Sequence, residues 1–100
     1  MNQVQKNLLA AKELILDPEH WMKNEYCDSL CSRYCVVGAV SMAVTGKGYP
    51  SGKFEEESRE LYFLRAAIGG NVIRFNDRHM HEEVLAAFDK AIELAADKNV

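Results

Sequence analysis

Residues 35–45 read Cys-Val-Val-Gly-Ala-Val-Ser-Met-Ala-Val-Thr, and the architecture of the 100-residue chain depends on how this apolar run folds. Its valines alone would suit a β-strand equally well. Gly38, Ala39 and Ala43, however, are small enough to let neighbouring helices approach closely, and Gly46 is placed where a helix commonly ends. A helix without a polar face is buried on most sides. We therefore predict a buried central helix over this run.

Three further segments repeat apolar residues every three or four positions, as one face of an α-helix does. They are residues 3–16, residues 54–68 and residues 81–97. Pro18 ends the first helix, because proline disfavours helical geometry in the residue before it. Gly69 and Gly70 end the second. The third is the most regular, with an apolar stripe of Val84, Phe88, Ile92 and Ala95.

The segments between these helices carry loop signals. Residues 45–52 hold three glycines and a proline, and residues 24–34 are mixed and polar. Residues 71–75 are β-branched in part and too short for more than an extended link or a small strand. The predicted fold is mainly α, a single domain over residues 1–100. About four helices form a bundle around the helix at 35–45, with at most a short extended segment near 71–75.

Composition and charge exclude some classes of partner. Fifteen acidic residues against twelve basic ones give a formal charge of −3, and the basic residues are scattered along the chain. Binding to a phosphate backbone normally requires clustered Lys and Arg, so we expect no nucleic-acid partner. No apolar run approaches the roughly 18 residues that span a bilayer, so we expect no membrane association either.

The cysteine count bears on the compartment. Three cysteines cannot all pair within one chain, and the first residues lack the basic start and apolar stretch of a secretory signal. Disulfides are rare in the reducing cytosol. We therefore expect free thiols and a cytoplasmic location.

Several short motifs occur together in an order that resembles a known family. Cys35, Gly38 and Ala39 form a Cys-x-x-Gly-Ala helix start, Phe75-Asn76-Asp77 form an aromatic-Asn-Asp turn, and Glu83-Val84-Leu85 open the C-terminal helix. With Trp21 upstream, this arrangement resembles a family of small phage and bacterial proteins classed as a domain of unknown function. The resemblance runs from the first helix to about Ala96.

The resemblance implies a phage or prophage setting and no particular reaction. Small accessory proteins that bind host proteins are common in that setting, so it favours a bacterial or phage-infected host cytosol. Two features depart from the family pattern: Phe75 stands where tryptophan is expected, and the segment from Asp77 to Val84 is short. Cys27, Cys31 and the histidines fall outside the pattern, so any site built on them belongs to this member of the family.

Cys35 is the candidate nucleophile. A thiol at a helix N-terminus lies near the positive end of the helix dipole, which lowers its pKa. Cysteine hydrolases and transferases pair such a thiol with a histidine base and an orienting Asn or Asp. His79 or His81 could be the base here, and Asn76 or Asp77 the orienting group. The competing interpretation, which we prefer, is that Cys35 is a small apolar residue in a buried helix.

A metal site and a capping role are two further interpretations of these polar residues. Cys27, Cys31 and Cys35 recur every fourth residue, and His79 and His81 could complete a zinc site. The second ligand pair is poorly defined, so we assign no metal and no cofactor. Asn76 and Asp77 are short polar side chains of the kind that cap helices. We favour a structural role for them, serving the last helix or the open amides of the central one.

A protein partner is the expected ligand. Trp21, Tyr26, Tyr34 and Tyr49 could form an aromatic patch, since Trp and Tyr are enriched at interface hot spots, or they could form a partly buried shell around the core. The candidate contact residues are Trp21, Tyr34, Phe75, Asn76 and Asp77. The chain is therefore interpreted as a non-catalytic module that binds a host protein or its own copies. The alternative is a cysteine-dependent hydrolase or transferase that uses Cys35, with Asp77 and His81 as its partners.

Overall fold

The computed structural model describes residues 1–96, and its centre is a helix, α2 (Val36–Thr45). The helix is buried from Val36 to Ser41, whereas Val44 near its end is exposed. The Cys35 side chain caps its start, and Gly46 ends it in the left-handed conformation, with φ of +78°. The predicted central helix is confirmed, and its first two turns are removed from water.

Residues 1–96 contain five more α-helices, and three of them pack directly against α2. The five are α1 (Gln3–Leu14), α3 (Phe54–Glu57), α4 (Arg59–Ile68), α5 (Val72–Arg78) and α6 (His81–Ala96). One 3₁₀ turn, Pro18–His20, follows α1. Residues 1–96 contain no β-strand, so the predicted mainly α class is confirmed. The α-helices within the described residues number six rather than about four, because two predicted segments fold differently.

The core lies between α1, α2, α4 and α6. Its largest fully buried apolar side chains include Leu8, Ile15, Leu61, Leu64 and Phe88. Burial of each such side chain stabilises the fold by roughly 1.5–3 kcal/mol. Two polar side chains of the first helical turn reach across to α6: Gln5 Nε2 donates to the Ile92 carbonyl at 3.0 Å, and Asn2 Nδ2 donates to the Ala95 carbonyl at 2.9 Å. The two terminal helices are therefore joined by packing and by hydrogen bonds.

The predicted helix over residues 54–68 is two helices that meet at Ser58. Ser58 has extended backbone geometry, with ψ of 125°, and ends α3 while it begins α4. Its Oγ accepts a hydrogen bond from the backbone N–H of Leu61 at 3.1 Å. A serine that caps a helix replaces one of the hydrogen bonds that the first turn lacks. The apolar spacing continues across this break, so periodicity alone did not reveal it.

The extended segment predicted near residues 71–75 is wrong, because this part of the chain is α5. The Asn71 side chain accepts from the backbone N–H of Arg74 at 2.8 Å and caps the helix. Val72 is buried, and α5 packs on α2 and α4. Tertiary packing together with this cap therefore overrides the β preference of Val72 and Ile73.

A long loop joins α1 to α2 and lies along the start of α2. The backbone N–H of Met22 donates to the Tyr34 carbonyl at 3.0 Å, and that of Tyr34 donates to the His20 carbonyl at 2.9 Å. The Tyr26 carbonyl in turn accepts a hydrogen bond from the backbone N–H of Cys35 at 3.0 Å. A Cβ on Gly38 would collide with that same Tyr26 carbonyl. Gly38 thus allows a loop to approach α2 closely, whereas the sequence interpretation expected a neighbouring helix there.

Two predictions reach the edge of the described part of the chain. The last helix was predicted to continue to residue 97 and the domain to residue 100, and residues 97–100 lie outside the described residues. Among residues 1–96, no helix is both long and apolar enough to cross a bilayer.

Candidate functional site

Asn76 joins α5 to the start of α2 and to the long loop. Its side chain is fully buried, and its Oδ1 accepts from the backbone N–H of Val36 at 3.0 Å and from Nε1 of Trp21 at 2.7 Å. Its Nδ2 donates to the Met22 carbonyl at 3.0 Å and to Asp77 Oδ1 at 3.2 Å. A buried amide with every polar atom paired holds its neighbours in one arrangement. Asn76 therefore has the geometry of a structural connector.

Asp77 continues this connection into the loop. Its Oδ1 accepts from the backbone N–H of Asn24 at 2.9 Å. Asn24 has a φ of +72°, which is the left-handed region that few residues other than glycine adopt. The carboxylate thus holds a left-handed turn next to α5. Of the two capping candidates, Asn76 serves the open amides of the central helix, and Asp77 serves the loop.

Cys35 lies at the inner end of a cleft of about 220 Å³ that also contains Asn24, Glu25, Tyr26, Ile73 and Asp77. The thiol is 4% exposed, and its Sγ accepts from the backbone N–H of Gly38 at 3.4 Å. Burial raises the pKa of Cys35 to about 11, although the N–H groups of Val37 and Gly38 act in the opposite direction. Desolvation therefore outweighs the helix N-terminus, and the thiol stays protonated near neutral pH.

Carboxylates lie in or next to the same cleft. Tyr26 donates its hydroxyl hydrogen to Glu55 Oε1 at 2.6 Å, and this hydrogen bond is the main reason that the pKa of Tyr26 is raised to about 12. Glu25 and Asp77 line the cleft itself. Negative charge near a thiol disfavours the thiolate, and Asp77 and Glu55 both raise the pKa of Cys35.

Both candidate histidines engage other groups. Nε2 of His81 lies 2.6 Å from the Ile15 carbonyl, and the His81 ring lies 5.4 Å from the Trp21 ring. Nδ1 of His79 lies 2.9 Å from the Phe75 carbonyl, and the two rings stack with their centroids 3.9 Å apart. Neither imidazole lines the Cys35 cleft. The structure thus brings Asp77 to Cys35 but places both predicted bases elsewhere.

The three cysteines also separate into two groups. The Sγ atoms of Cys27 and Cys31 face each other 2.7 Å apart in the long loop, while Cys35 caps α2. All three are free thiols. Within residues 1–96, no three side chains among His, Cys, Asp and Glu converge as metal ligands would.

A shallow groove runs along α5 between α4 and α6, and we call it the Phe75 groove. It consists of two adjoining clefts, of about 260 Å³ and 420 Å³, that share Ile68 and Phe75. Apolar atoms of Ala67, Ala86 and Ala87 complete its floor. Its polar edge carries more positive than negative charge, and it is formed by Asn71, Arg74, Arg78, His79, Lys90 and Glu83.

The predicted contact residues do not share one surface. Phe75 lines the groove, and Asp77 lines the Cys35 cleft. Trp21 is half-buried against His81. Tyr34 lies in the core at 6% exposure, and Asn76 is enclosed completely.

The sequence interpretation missed the cationic edge of the groove. Arg74 and Arg78 are four residues apart, as are Phe75 and His79, so within a helix each pair lies on one face. The signal that could have revealed this was Asn71, a helix-capping residue immediately before Val72. The sequence interpretation treated this segment as extended. It therefore placed apart the residues that the helix brings together.

Comparison with known proteins identifies the family of this chain. A model described as "Family of unknown function (DUF6197)" matches residues 1–94. The chain belongs to the DUF6197 family. The resemblance to a family of unknown function is therefore confirmed, and it covers nearly the whole DUF6197 chain. No curated protein and no solved structure matches it.

Proposed function

We propose that this DUF6197 chain is a non-catalytic protein-binding module and that the Phe75 groove is its contact surface. The observation that carries the proposal is the composition of the groove, an apolar floor with a cationic edge. Grooves of this kind accept a partner segment whose apolar side chains fill the floor. Partly buried Phe75 and Ile68 would then become fully buried in the complex.

The charge of the edge indicates the chemistry of the partner. Arg74 and Arg78 are exposed on α5, and Lys90 is exposed on α6, with Glu83 the acidic residue in the lining. The chain as a whole carries a charge of −3, so this local excess of positive charge differs from the rest of the surface. Complementary charges at an interface favour the correct partner and speed association. The partner segment should therefore carry carboxylates beside its apolar residues.

The alternative, a cysteine-dependent hydrolase or transferase, has less support. Catalysis by Cys35 needs a thiolate and a base within hydrogen-bond reach. Cys35 is buried with its pKa raised to about 11, and His79 and His81 each engage a backbone carbonyl. A two-unit rise lowers the thiolate fraction at neutral pH about a hundredfold. Rapid alkylation of Cys35 by iodoacetamide in the folded protein, relative to Cys31, would instead favour the enzyme.

The biological setting is also a proposal. We propose that the module acts in the cytoplasm of a bacterial or phage-infected cell, where it binds a host protein or another copy of itself. The three free thiols support a reducing compartment. The motifs at Cys35, Phe75 and Glu83 support the phage setting by resemblance.

The test fills the groove without disturbing the core. Ala86 is exposed on α6 and lines the groove, so Ala86→Arg would occupy the floor while keeping a good helix former. Ala66→Arg is the matched control, because Ala66 is an exposed alanine of α4 that does not line the groove. Each variant and the wild type would be immobilised and exposed to bacterial lysate.

The proposal predicts one retained protein that binds the wild type and Ala66→Arg and is lost with Ala86→Arg. Sedimentation of the purified chain tests self-association through the same surface. Equal retention by all three forms would contradict the assignment of the groove. A monomeric chain that retains nothing would contradict the binding function.

A further inference from the structure

Cys27 and Cys31 form a close thiol pair that plays no part in the Phe75 groove or the Cys35 cleft. Their Sγ atoms face each other at 2.7 Å, well inside the usual separation of two sulfur atoms that are not bonded. They are four residues apart in a loop, where no helical spacing requires them to meet. The pair therefore results from the shape of the loop itself.

Asp28 gives the loop that shape. Its Oδ1 accepts from the backbone N–H groups of Ser32 at 2.7 Å and Arg33 at 3.2 Å, and its Oδ2 accepts from Ser32 Oγ at 2.7 Å. The Asp28 carbonyl accepts from the backbone N–H of Cys31 at 2.9 Å. These bonds hold Cys31 at a φ of +51°, a left-handed geometry that costs energy in a residue with a Cβ. That geometry is maintained by the surrounding bonds.

The segment after α2 encloses the pair. A Cβ on Gly48 would lie 2.8 Å from Cys27 Sγ and 3.1 Å from Cys31 Sγ, so glycine allows the backbone to cover both sulfur atoms. The Tyr49 hydroxyl donates to the Cys27 carbonyl at 3.1 Å and holds this cover in place. Cys27 is 1% exposed, whereas Cys31 is only partly covered. One thiol of the pair is thus reachable from solvent, and the other is enclosed behind it.

We propose that Cys27 and Cys31 are a reversible oxidation site that forms an internal disulfide by exchange with a small disulfide such as oxidised glutathione. The roles follow from access: Cys31 meets the oxidant, and Cys27 resolves the intermediate. Burial raises the pKa of Cys27 to about 11, which makes it a poor first nucleophile. Reversible disulfides of this type are the ones found in reducing compartments.

The exchange balances in two steps. The Cys31 thiolate attacks one sulfur of glutathione disulfide, forming a mixed disulfide and releasing one glutathione thiolate, which takes up a proton. Cys27 then loses its proton to solvent, and its thiolate attacks Cys31 Sγ, breaking the mixed disulfide and releasing the second glutathione. The protein gives up two electrons and two protons, and glutathione disulfide is reduced to two thiols.

The test uses the full chain and a glutathione redox buffer. Reduced protein is equilibrated with the buffer, free thiols are trapped with maleimide, and the chain is digested with trypsin. Cleavage after Lys23 and Arg33 gives a peptide of residues 24–33 that contains both Cys27 and Cys31, while Cys35 falls in the next peptide. We expect the first peptide to lose two hydrogen atoms in mass and to take up no maleimide. The Cys35 peptide should remain a trapped thiol.

Variants separate the two roles. Cys27→Ser should accumulate a glutathione adduct on Cys31, because no thiol remains to resolve it. Cys31→Ser should give neither the disulfide nor a rapid adduct. Cys35→Ser is the matched control and should oxidise as the wild type does, since serine also caps helices.

The urea-unfolded wild type keeps the test decisive even if a variant fails to fold. Its equilibrium constant for the 27–31 disulfide should be at least about tenfold lower than that of the folded chain, because unfolding removes the arrangement of the loop. Equal constants would overturn the proposal, as would equal oxidation of Cys35 or persistent glutathione adducts on the wild type. None of these outcomes depends on the Phe75 groove.

Discussion

The side-chain oxygen of Asn76 accepts a hydrogen bond from the backbone N–H of Val36 at 3.0 Å, across forty positions of the chain. The first turn of a helix has N–H groups without partners inside the helix, and a nearby side chain usually supplies an acceptor for one of them. Cys35 supplies only a weak sulfur acceptor, at 3.4 Å from the backbone N–H of Gly38. A distant amide therefore completes the cap of the central helix and ties α5 to it.

The first prediction concerns Asn76→Ala. The substitution would leave the Val36 N–H, the Trp21 Nε1–H and the Met22 carbonyl without their partner in a buried setting. Because each unsatisfied buried group costs about 1–3 kcal/mol, the free energy of unfolding should fall by about 3 kcal/mol or more in urea denaturation.

Asn71→Ala is the control for that measurement. Asn71 is exposed and caps only its own helix, so its loss should cost about 1 kcal/mol. If the Asn76 variant proved no less stable than the Asn71 variant, the connecting role of Asn76 would have to be abandoned.

The second prediction concerns alkaline pH. The pKa of Cys35 rises from its ordinary value of 9.0 to about 11 in the folded chain. Below pH 9 the thiol is protonated in both the folded and the unfolded chain, so its stabilising effect is complete. Between pH 9 and 11 the unfolded chain releases a proton that the folded chain keeps. The free energy of unfolding should then fall by about 1.4 kcal/mol per pH unit from this group.

Cys35→Ser isolates the contribution of this thiol. Serine does not titrate in this range, and the raised pKa values of Tyr26 and Cys27 act in the same direction in both proteins. The free energy of unfolding, measured by denaturation from pH 8 to 11, should therefore fall less steeply with pH for the variant than for the wild type. Superimposable profiles would argue against a buried Cys35 thiol.

The third prediction compares two glycines. A Cβ on Gly38 would collide with the Tyr26 carbonyl and lie 3.1 Å from the Gly48 carbonyl, whereas a Cβ on Gly70 would meet nothing within 4 Å. Gly38→Ala should therefore lower the free energy of unfolding by about 3 kcal/mol, as overpacking against fixed backbone does. Gly70→Ala should change it by less than about 0.5 kcal/mol, as for an open surface position. Similar values for the two variants in thermal or urea unfolding would refute the close approach of the loop to α2.

The fourth prediction rests on the proposed binding function. Arg74→Glu reverses a charge at the edge of the Phe75 groove and should weaken binding of the partner recovered through that groove about tenfold, mainly through slower association. Lys6→Glu makes the same change of charge at an exposed position of α1 and should leave binding unaltered. Surface plasmon resonance at two salt concentrations provides the measurement. Loss of affinity in both variants would point to overall charge rather than to the groove.

The helices differ in how far their sequences predict them. The stripes of α1 and α6 repeat over three or more turns, and the apolar run of α2 has no polar face, so pattern alone is informative there. Residues 72–78 span about two turns, and Val72 and Ile73 favour an extended backbone locally. A helix forms instead because Val72 is buried against the rest of the fold and Asn71 caps the first turn.

The candidate site shows the same division. Cys35, Asn76 and Asp77 stand out by residue type, since each bears a group used for capping or catalysis. Residue type does not show which partners these groups contact. Asn76 contacts Val36 across 40 positions of the chain, and His81 contacts the Ile15 carbonyl across 66 positions. No local pattern encodes such pairings.

The amino-acid sequence by itself determines the mainly α class, the buried helix that follows Cys35 and membership of the DUF6197 family. These properties follow from the spacing of apolar residues within a few turns. Only the tertiary structure decides that the Cys35 thiol is desolvated, that Cys27 faces Cys31, and that Arg74 borders an apolar groove. The physical reason is that desolvation, sulfur contact and groove shape depend on chain segments that come together only when the whole core packs.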